Sequence, residues 1–337
     1  MQSFKETLRE IGLVPVVKID DAKNAEPLAR ALLAGGIPAA EVTFRTDAAE
    51  EAIRNMRAAC PEMLVGAGTV INEAQCRRAI DAGAQFVVSP GYVQQVVDCC
   101  LKAGLPVLPG CATAADMIAA VNSGLDLVKF FPAEQAGGLG YLKAVAPVFP
   151  KLDFMPTGGV NAGNLNTYLA FPRIVACGGS WMVKSDLIAA GRFDEITALC
   201  RQAVETMLGF KIVHVGLNCA DAAEAASVAG TFGHLFGFNA QEGNKSWFAS
   251  PEIEIMKAPG RGVHGHLAVA VNSMTRAVAY FKRMGVEAVS YTHLDVYKRQ
   301  GVVIVLMIIF DSVYNSYMEK KITKSGKLLE EEKGAAA

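Results

Sequence analysis

The chain has 337 residues, with 32 Lys and Arg against 33 Asp and Glu, for a formal net charge of -1. That balance offers no basic field to a nucleic acid, and the length is that of two or so domains. Hydrophobic residues make up 52%, ample for a core, and the eight cysteines are scattered without a CxxC pair, which reads as reduced, mostly buried thiols of a cytosolic protein rather than a disulfide framework or a zinc site.

The opening Met1-Gln2-Ser3-Phe4-Lys5-Glu6 lacks the apolar core of a secretory signal. From there to about residue 208 one unit recurs: a short apolar strand, a loop, then an alanine-rich helical stretch. Strands are expected at residues 14–19, 40–45, 64–70, 86–90, 106–110, 127–132, 154–157 and 174–178, with helices such as 22–34 and 48–59 between them. Near-continuous apolar runs of this kind are buried parallel strands. Eight βα units in about 200 residues fit a small (β/α)8 barrel, with a doubly wound open sheet as the alternative. Polar and glycine residues cluster at the strand ends, where such barrels keep their sites.

The strand Glu41-Val42-Thr43-Phe44-Arg45 places Glu41, Thr43 and Arg45 on one face by alternation. A carboxylate near an amine can move protons in imine chemistry. An arginine in a closed site can grip a substrate carboxylate with two hydrogen bonds. The competing reading is a Glu41–Arg45 salt bridge at a barrel rim. Thr69, in Gly66-Ala67-Gly68-Thr69, and Pro90, in Ser89-Pro90-Gly91, end the third and fourth strands and can complete a pocket.

Lys129 interrupts the apolar run Leu127-Val128-Lys129-Phe130-Phe131-Pro132. An ammonium buried there is costly unless paired. Burial lowers a lysine pKa, and a neutral amine attacks carbonyls. On this run alone, a strand-end lysine reaching water or a carboxylate is an equally good reading. Two glycine pairs then close the last two strands, in Pro156-Thr157-Gly158-Gly159-Val160-Asn161 and Cys177-Gly178-Gly179-Ser180-Trp181. Glycine lets backbone N–H groups approach an anion, and loops after strands 7 and 8 are the common phosphate site of such barrels.

From about residue 210 the texture changes to α+β. A strand is expected at 211–217, a helix at 221–236, strands at 238–241, at 247–256 with a break near Pro251, and at 266–271, and a helix at 275–284. The wholly apolar residues 301–310 are too short for a membrane span. They follow Ser290-Tyr291-Thr292-His293-Leu294-Asp295-Val296-Tyr297-Lys298-Arg299-Gln300, a string similar to translated library-adapter sequence. Residues 290–337 therefore read as a foreign, chimeric tail.

Residues 1–208 closely resemble the family of 2-keto-3-deoxy-6-phosphogluconate (KDPG) aldolase, also described as 4-hydroxy-2-oxoglutarate aldolase. The resemblance rests on residues 41–46, 65–70, 88–91, 128–134, 156–159 and 178–181, in the family's order and spacing. It implies a (β/α)8 TIM barrel and a class I, metal-independent aldolase with no cofactor. Lys129 would form the Schiff base and Glu41 would shuttle protons. Arg45 and Thr69 would hold the carboxylate, and Phe131 would pack beside the imine. Gly158, Gly159, Gly179 and Ser180 would take the phosphate, with Thr157 and Pro90 in the substrate pocket. The implied partner is a small keto-acid phosphate, with no nucleic acid or membrane, and the implied assembly is a cytoplasmic homotrimer. A 6-phosphogalactonate-type aldolase and a non-catalytic sugar-phosphate-binding module are the rivals.

Residues 209–289 resemble a partial vicinal-oxygen-chelate (glyoxalase-like) βαβββ module. His214 and His266 fall where that fold can place metal ligands, and Glu252 or Glu254 can add a carboxylate. A full site would need a second half-module, so no metal is expected, and strand histidines in a docking or regulatory domain are the preferred reading.

Overall fold

The computed structural model describes residues 3–260 and 265–286, and the backbone of a strand at Leu306–Ile309. The chain divides into two compact units. The first comprises residues up to 208 together with 273–286, and the second residues 209–272 with the strand Leu306–Ile309.

The first unit opens on helix α1 (Phe4–Ile11). Ser3 and Glu6 form a reciprocal capping box at its start, and Gly12 ends it in a left-handed conformation. Eight strands follow: β1 (Leu13–Val17), β2 (Ala39–Thr43), β3 (Leu64–Gly68), β4 (Val87–Val88), β5 (Val107–Leu108), β6 (Leu127–Phe130), β7 (Asp153–Pro156) and β8 (Cys177–Gly179). Between and after them run helices α2 (Ala25–Ala34), α3 (Ala49–Ala59), α4 (Glu73–Asp81), α5 (Gln94–Lys102), α6 (Ala114–Asn122), α7 (Gly138–Val145), α8 (Leu165–Leu169), α9 (Ser185–Ala189) and α10 (Phe193–Leu208).

All strand pairs in this unit are parallel. Six form one sheet in the order β5-β4-β3-β2-β1-β8, and β6 pairs with β7. A bridge between Gly110 and Lys129 joins β5 to β6, and one between Thr157 and Gly178 joins β7 to β8. The ring is thereby continuous, and the architecture is a parallel α/β, TIM-like one rather than an open sheet. Val14, Phe86, Val88, Leu108, Leu127 and Met155 pack inside it with Leu8 of α1. Each such buried side chain contributes about 1.5–3 kcal/mol.

Several strands are shorter than their apolar runs. β4 and β5 hold two residues each, whereas the runs span 86–90 and 106–110. Pro90, Pro106 and Pro109 lack the N–H that would extend the ladder.

The second unit contains β9 (Lys211–Asn218), α11 (Ala222–Phe236), β10 (Gln241–Glu242), β11 (Ser246–Ser250), β12 (Ile253–Met256) and β13 (Gly265–Ala270). Asp221 caps α11 by accepting from the N–H groups of Ala223 and Glu224. The sheet order is β10-β11-β12-β9-β13-β14, where β14 is Leu306–Ile309. β9 and β12 run parallel and the other neighbours antiparallel. Ala225 and Ala229 of α11 pack with Ala249 and Ile255 of the sheet.

Helix α12 (Met274–Arg283), which the sequence reading groups with residues 209–289, packs in the first unit. Its Arg276 is buried and donates to the Val175 carbonyl at 3.3 Å. The helix's amphipathic pattern is legible locally, but which surface takes its apolar side is a tertiary matter. Of the proposed foreign tail, residues 290–305 and 310–337 lie outside the described residues. Among the described residues no helix is long and apolar enough to cross a membrane.

Candidate active site

Lys129 is held against the chain that leaves β5. Its N–H donates to the Pro109 carbonyl at 3.0 Å, and its own carbonyl accepts from Cys111 at 2.8 Å. The side chain enters the ring and is 5% exposed, while Glu41 of β2 is 0% exposed. Lys129 Nζ donates to Glu41 Oε1 at 2.9 Å and to Oε2 at 3.3 Å. Two opposite charges removed from water meet in this contact, and loss of either partner would strand the other. The rim salt bridge between Glu41 and Arg45 is not what forms.

A neighbouring strand makes room for the carboxylate. A Cβ on Gly68 would lie 2.3 Å from Glu41 Oε1 and 2.6 Å from its Cγ. Gly68 is therefore a cradle that fixes where Glu41 can sit. The sequence alone assigns Gly68 no role of its own, since only the β2–β3 register reveals the contact. The next residue, Thr69, has φ 58, a left-handed conformation uncommon for a β-branched residue. Such strain at the end of β3 is a further mark of a functional site.

The other candidates gather at the same strand ends. Lys129 Nζ lies 5.4 Å from the centre of the Phe131 ring. The space beside Gly158 is bounded by Phe131 and Pro132, and that beside Gly159 by Glu134. Thr157 Oγ1 is buried without a hydrogen-bond partner among the described residues. Pro90 packs its backbone against Gly110 at the end of β5. Thr43 Oγ1 donates to the Val17 carbonyl at 2.8 Å and accepts from Arg45 Nε at 3.1 Å, so the guanidinium is aimed by the residue two before it. Arg45 also lines a cleft of about 360 Å³ together with Val16, Lys18, Ser180, Trp181 and Lys184. Lys18, which ion-pairs with Asp20 at 2.6 Å, and Lys184 were not singled out from the sequence. Their positions just past β1 and β8 were the available signal. Glu41 and Lys129 do not line this cleft, and lie deeper in the ring.

Comparison with known proteins agrees with this geometry. The family model "KDPG and KHG aldolase" matches residues 4–199. The chain belongs to the KDPG and KHG aldolase family. The 2-dehydro-3-deoxy-phosphogluconate aldolase of Treponema pallidum (strain Nichols) is 48% identical over 205 residues, covering 61% of this chain and 98% of that protein. The KHG/KDPG aldolase of Escherichia coli (strain K12) is 42% identical over 209 residues, with 61% and 98% covered. Among solved structures, the Legionella pneumophila KDPG aldolase, with pyruvate captured at low pH as a covalent carbinolamine intermediate, is 37% identical. It aligns with a TM-score of 0.58 over 60% of this chain and 99% of that one. The aldolase likeness thus falls on the first unit and covers these relatives almost end to end.

In the second unit, His214, Glu254 and His266 converge. Glu252, the alternative carboxylate, instead accepts from Ser250 at 2.9 Å. Burial opposes the charge on Glu254, but hydrogen bonds from His214, His266 and Ser246 outweigh it and hold the carboxyl well below the usual range. The two histidines expected on strands both reach Glu254 Oε2, at 3.1 and 3.2 Å.

Proposed function

We propose that the protein is a class I aldolase that cleaves 2-dehydro-3-deoxy-6-phosphogluconate to pyruvate and glyceraldehyde 3-phosphate, and 4-hydroxy-2-oxoglutarate to pyruvate and glyoxylate. The observation that carries the reading is the buried Lys129–Glu41 pair at 2.9 Å, in a chain whose relatives bear these aldolase names. Glu41 can take a proton from the Lys129 ammonium, freeing the amine. Nζ attacks the C2 carbonyl carbon and forms a carbinolamine, and Glu41 gives its proton to the departing hydroxyl, which leaves as water, so that a protonated imine forms and Glu41 is again a carboxylate. Glu41 then takes the proton of the C4 hydroxyl. The C3–C4 bond breaks, the aldehyde leaves, and the bonding electrons pass into the imine to give an enamine. Protonation at C3 and hydrolysis release pyruvate and return Lys129.

The remaining roles follow from position. Arg45 and Thr69 hold the substrate carboxylate, and Phe131 packs beside the imine. Thr157, with its unsatisfied hydroxyl, and Pro90 complete the pocket. Gly158, Gly159, Gly179 and Ser180 receive the phosphate. The gluconate configuration at C4 is preferred over the galactonate one, on the names of the relatives 40–48% identical. The first unit is a complete (β/α)8 barrel in this reading, and the protein works in the cytoplasm as a homotrimer, as the family resemblance implies. The second unit is a glyoxalase-like βαβββ module, supported by its adjacent parallel first and last strands.

The test is pyruvate release, coupled to NADH oxidation by lactate dehydrogenase, from the two C4 epimers and from 4-hydroxy-2-oxoglutarate. Turnover of the gluconate epimer well above the galactonate one is expected. The reverse order would give the galactonate assignment, and no turnover of any would favour a binding module.

A further inference from the structure

The second unit carries a cluster that the aldolase reaction does not use. Three strands meet at Gly216 of β9. Glu254 of β12 pairs with Gly216 on one side, and His266 of β13 pairs with it on the other. His214 lies two residues earlier on β9, and so on the same face as Gly216. A Cβ on Gly216 would fall 2.0 Å from His266 Cε1 and 2.6 Å from its Nε2. The missing side chain is what lets the neighbours lean across β9 and meet.

The meeting is triangular. His214 Nε2 and His266 Nε2 are 3.1 Å apart, and Glu254 Oε2 lies 3.1 Å from the first and 3.2 Å from the second. Both histidines are 7% exposed. Hydrogen bonds account poorly for this triangle. If each imidazole donates to the carboxylate, the two nitrogens face each other without a proton between them. If one imidazole donates to the other, it loses its straight bond to the carboxylate. A cation accounts for all three edges. Ligands about 2.1 Å from one ion, and about 90–109° apart, lie about 3.0–3.4 Å from one another. The second carboxylate oxygen is already tied, since Ser246 Oγ donates to Glu254 Oε1 at 2.6 Å. That bond leaves Oε2 as a single aimed donor, the usual service of a group behind a ligand.

We propose that His214, Glu254 and His266 bind one divalent first-row transition ion, with three protein ligands and the remaining positions open to water or a small anionic ligand. Two imidazoles and one carboxylate suit zinc, cobalt, nickel or iron(II) better than calcium or magnesium. All three ligands come from strands within residues 211–270, so no second half-module is required. The site is independent of the aldolase centre, and its occupancy staples β12 and β13 to β9.

The test uses the tag-free full chain, stripped with EDTA and dialysed. Cobalt(II) is titrated while visible absorption is followed, and zinc uptake is measured by elemental analysis. One equivalent of either ion is expected, with cobalt d–d bands and a zinc-dependent rise in the melting temperature. Glu254→Gln keeps a side chain of the same shape and the Ser246 contact. It and His266→Ala should each weaken binding at least tenfold, Ser246→Ala should weaken it less, and exposed His234→Ala should leave it unchanged. A far-UV spectrum matching that of the parent chain reports that the second unit is folded in each variant, and aldolase turnover tests the aldolase reading separately. Absence of saturable uptake, or equal uptake by the parent and the Glu254→Gln and His266→Ala variants, would overturn the assignment.

Discussion

Lys129 Nζ and Glu41 Oε1 face each other at 2.9 Å inside the ring, 88 residues apart in sequence. Neither has another charged partner within bonding distance among the described residues. Glu41→Gln keeps the shape and removes the base. Turnover is expected to fall by about 10²–10⁴, the scale of a general acid–base group, with the far-UV spectrum unchanged. An unaltered rate would assign Glu41 a purely structural part.

Gly68 makes a sharper prediction, because the space a side chain would take there is filled by Glu41. A methyl group there would displace the Glu41 carboxylate from its seat. Gly68→Ala should cost about 1–3 kcal/mol of stability through overpacking. Its loss of turnover should approach that of Glu41→Gln. Restoration of wild-type turnover at a temperature where the variant is fully folded would show that the seat does not matter.

Much of this architecture was legible in advance. Eight apolar runs gave eight strands, and a lysine inside one and a glutamate inside another gave the central pair. The site elements that stayed hidden share a cause. Gly68 and Gly216 act through the absence of a Cβ toward a neighbouring strand, and sequence spacing does not reveal register. His214, Glu254 and His266 are distant in sequence and meet only because Gly216 pairs with Glu254 on one side and His266 on the other. Helix α12 was found, but its destination depends on a surface formed by residues far upstream.

The phosphate loops are tested through Ser180 rather than Gly179. A Cβ on Gly179 would lie 1.9 Å from the Trp181 ring, so any substitution there disturbs packing as well. Ser180→Ala should raise KM for the phosphorylated substrate by several-fold and leave that for 4-hydroxy-2-oxoglutarate nearly unchanged. Equal effects on both would separate Ser180 from the phosphate.

Burial pushes the thiols of Cys111, Cys177 and Cys200 up to about 12. In the unfolded chain they ionise near the ordinary value of about 8.5–9. Between those limits the unfolded state binds fewer protons, so stability falls as pH rises, by up to about 1.4 kcal/mol per thiol per pH unit. Below about 9 the contribution is fully present. Urea midpoints should drop between pH 8.5 and 10.5, and the drop should be shallower in the Cys111→Ala, Cys177→Ala, Cys200→Ala triple variant. Parallel profiles would mean that these thiols do not govern alkaline stability.

Relatives of about this barrel's length are matched almost end to end, so truncation after residue 208 should leave a soluble, active aldolase. It also removes α12, whose Arg276 is buried in the first unit. The truncated chain should therefore keep its kcat while melting a few degrees lower. Insolubility or loss of turnover, beside a well-behaved full chain, would make residues 209–337 integral to the enzyme.

The central claim is covalent, and borohydride reads it directly. Reduction in the presence of pyruvate should fix the three-carbon unit on one peptide, that containing Lys129, as located by mass spectrometry. Lys129→Ala should show no adduct. Labelling of a different lysine, or an adduct that persists in Lys129→Ala, would contradict the account.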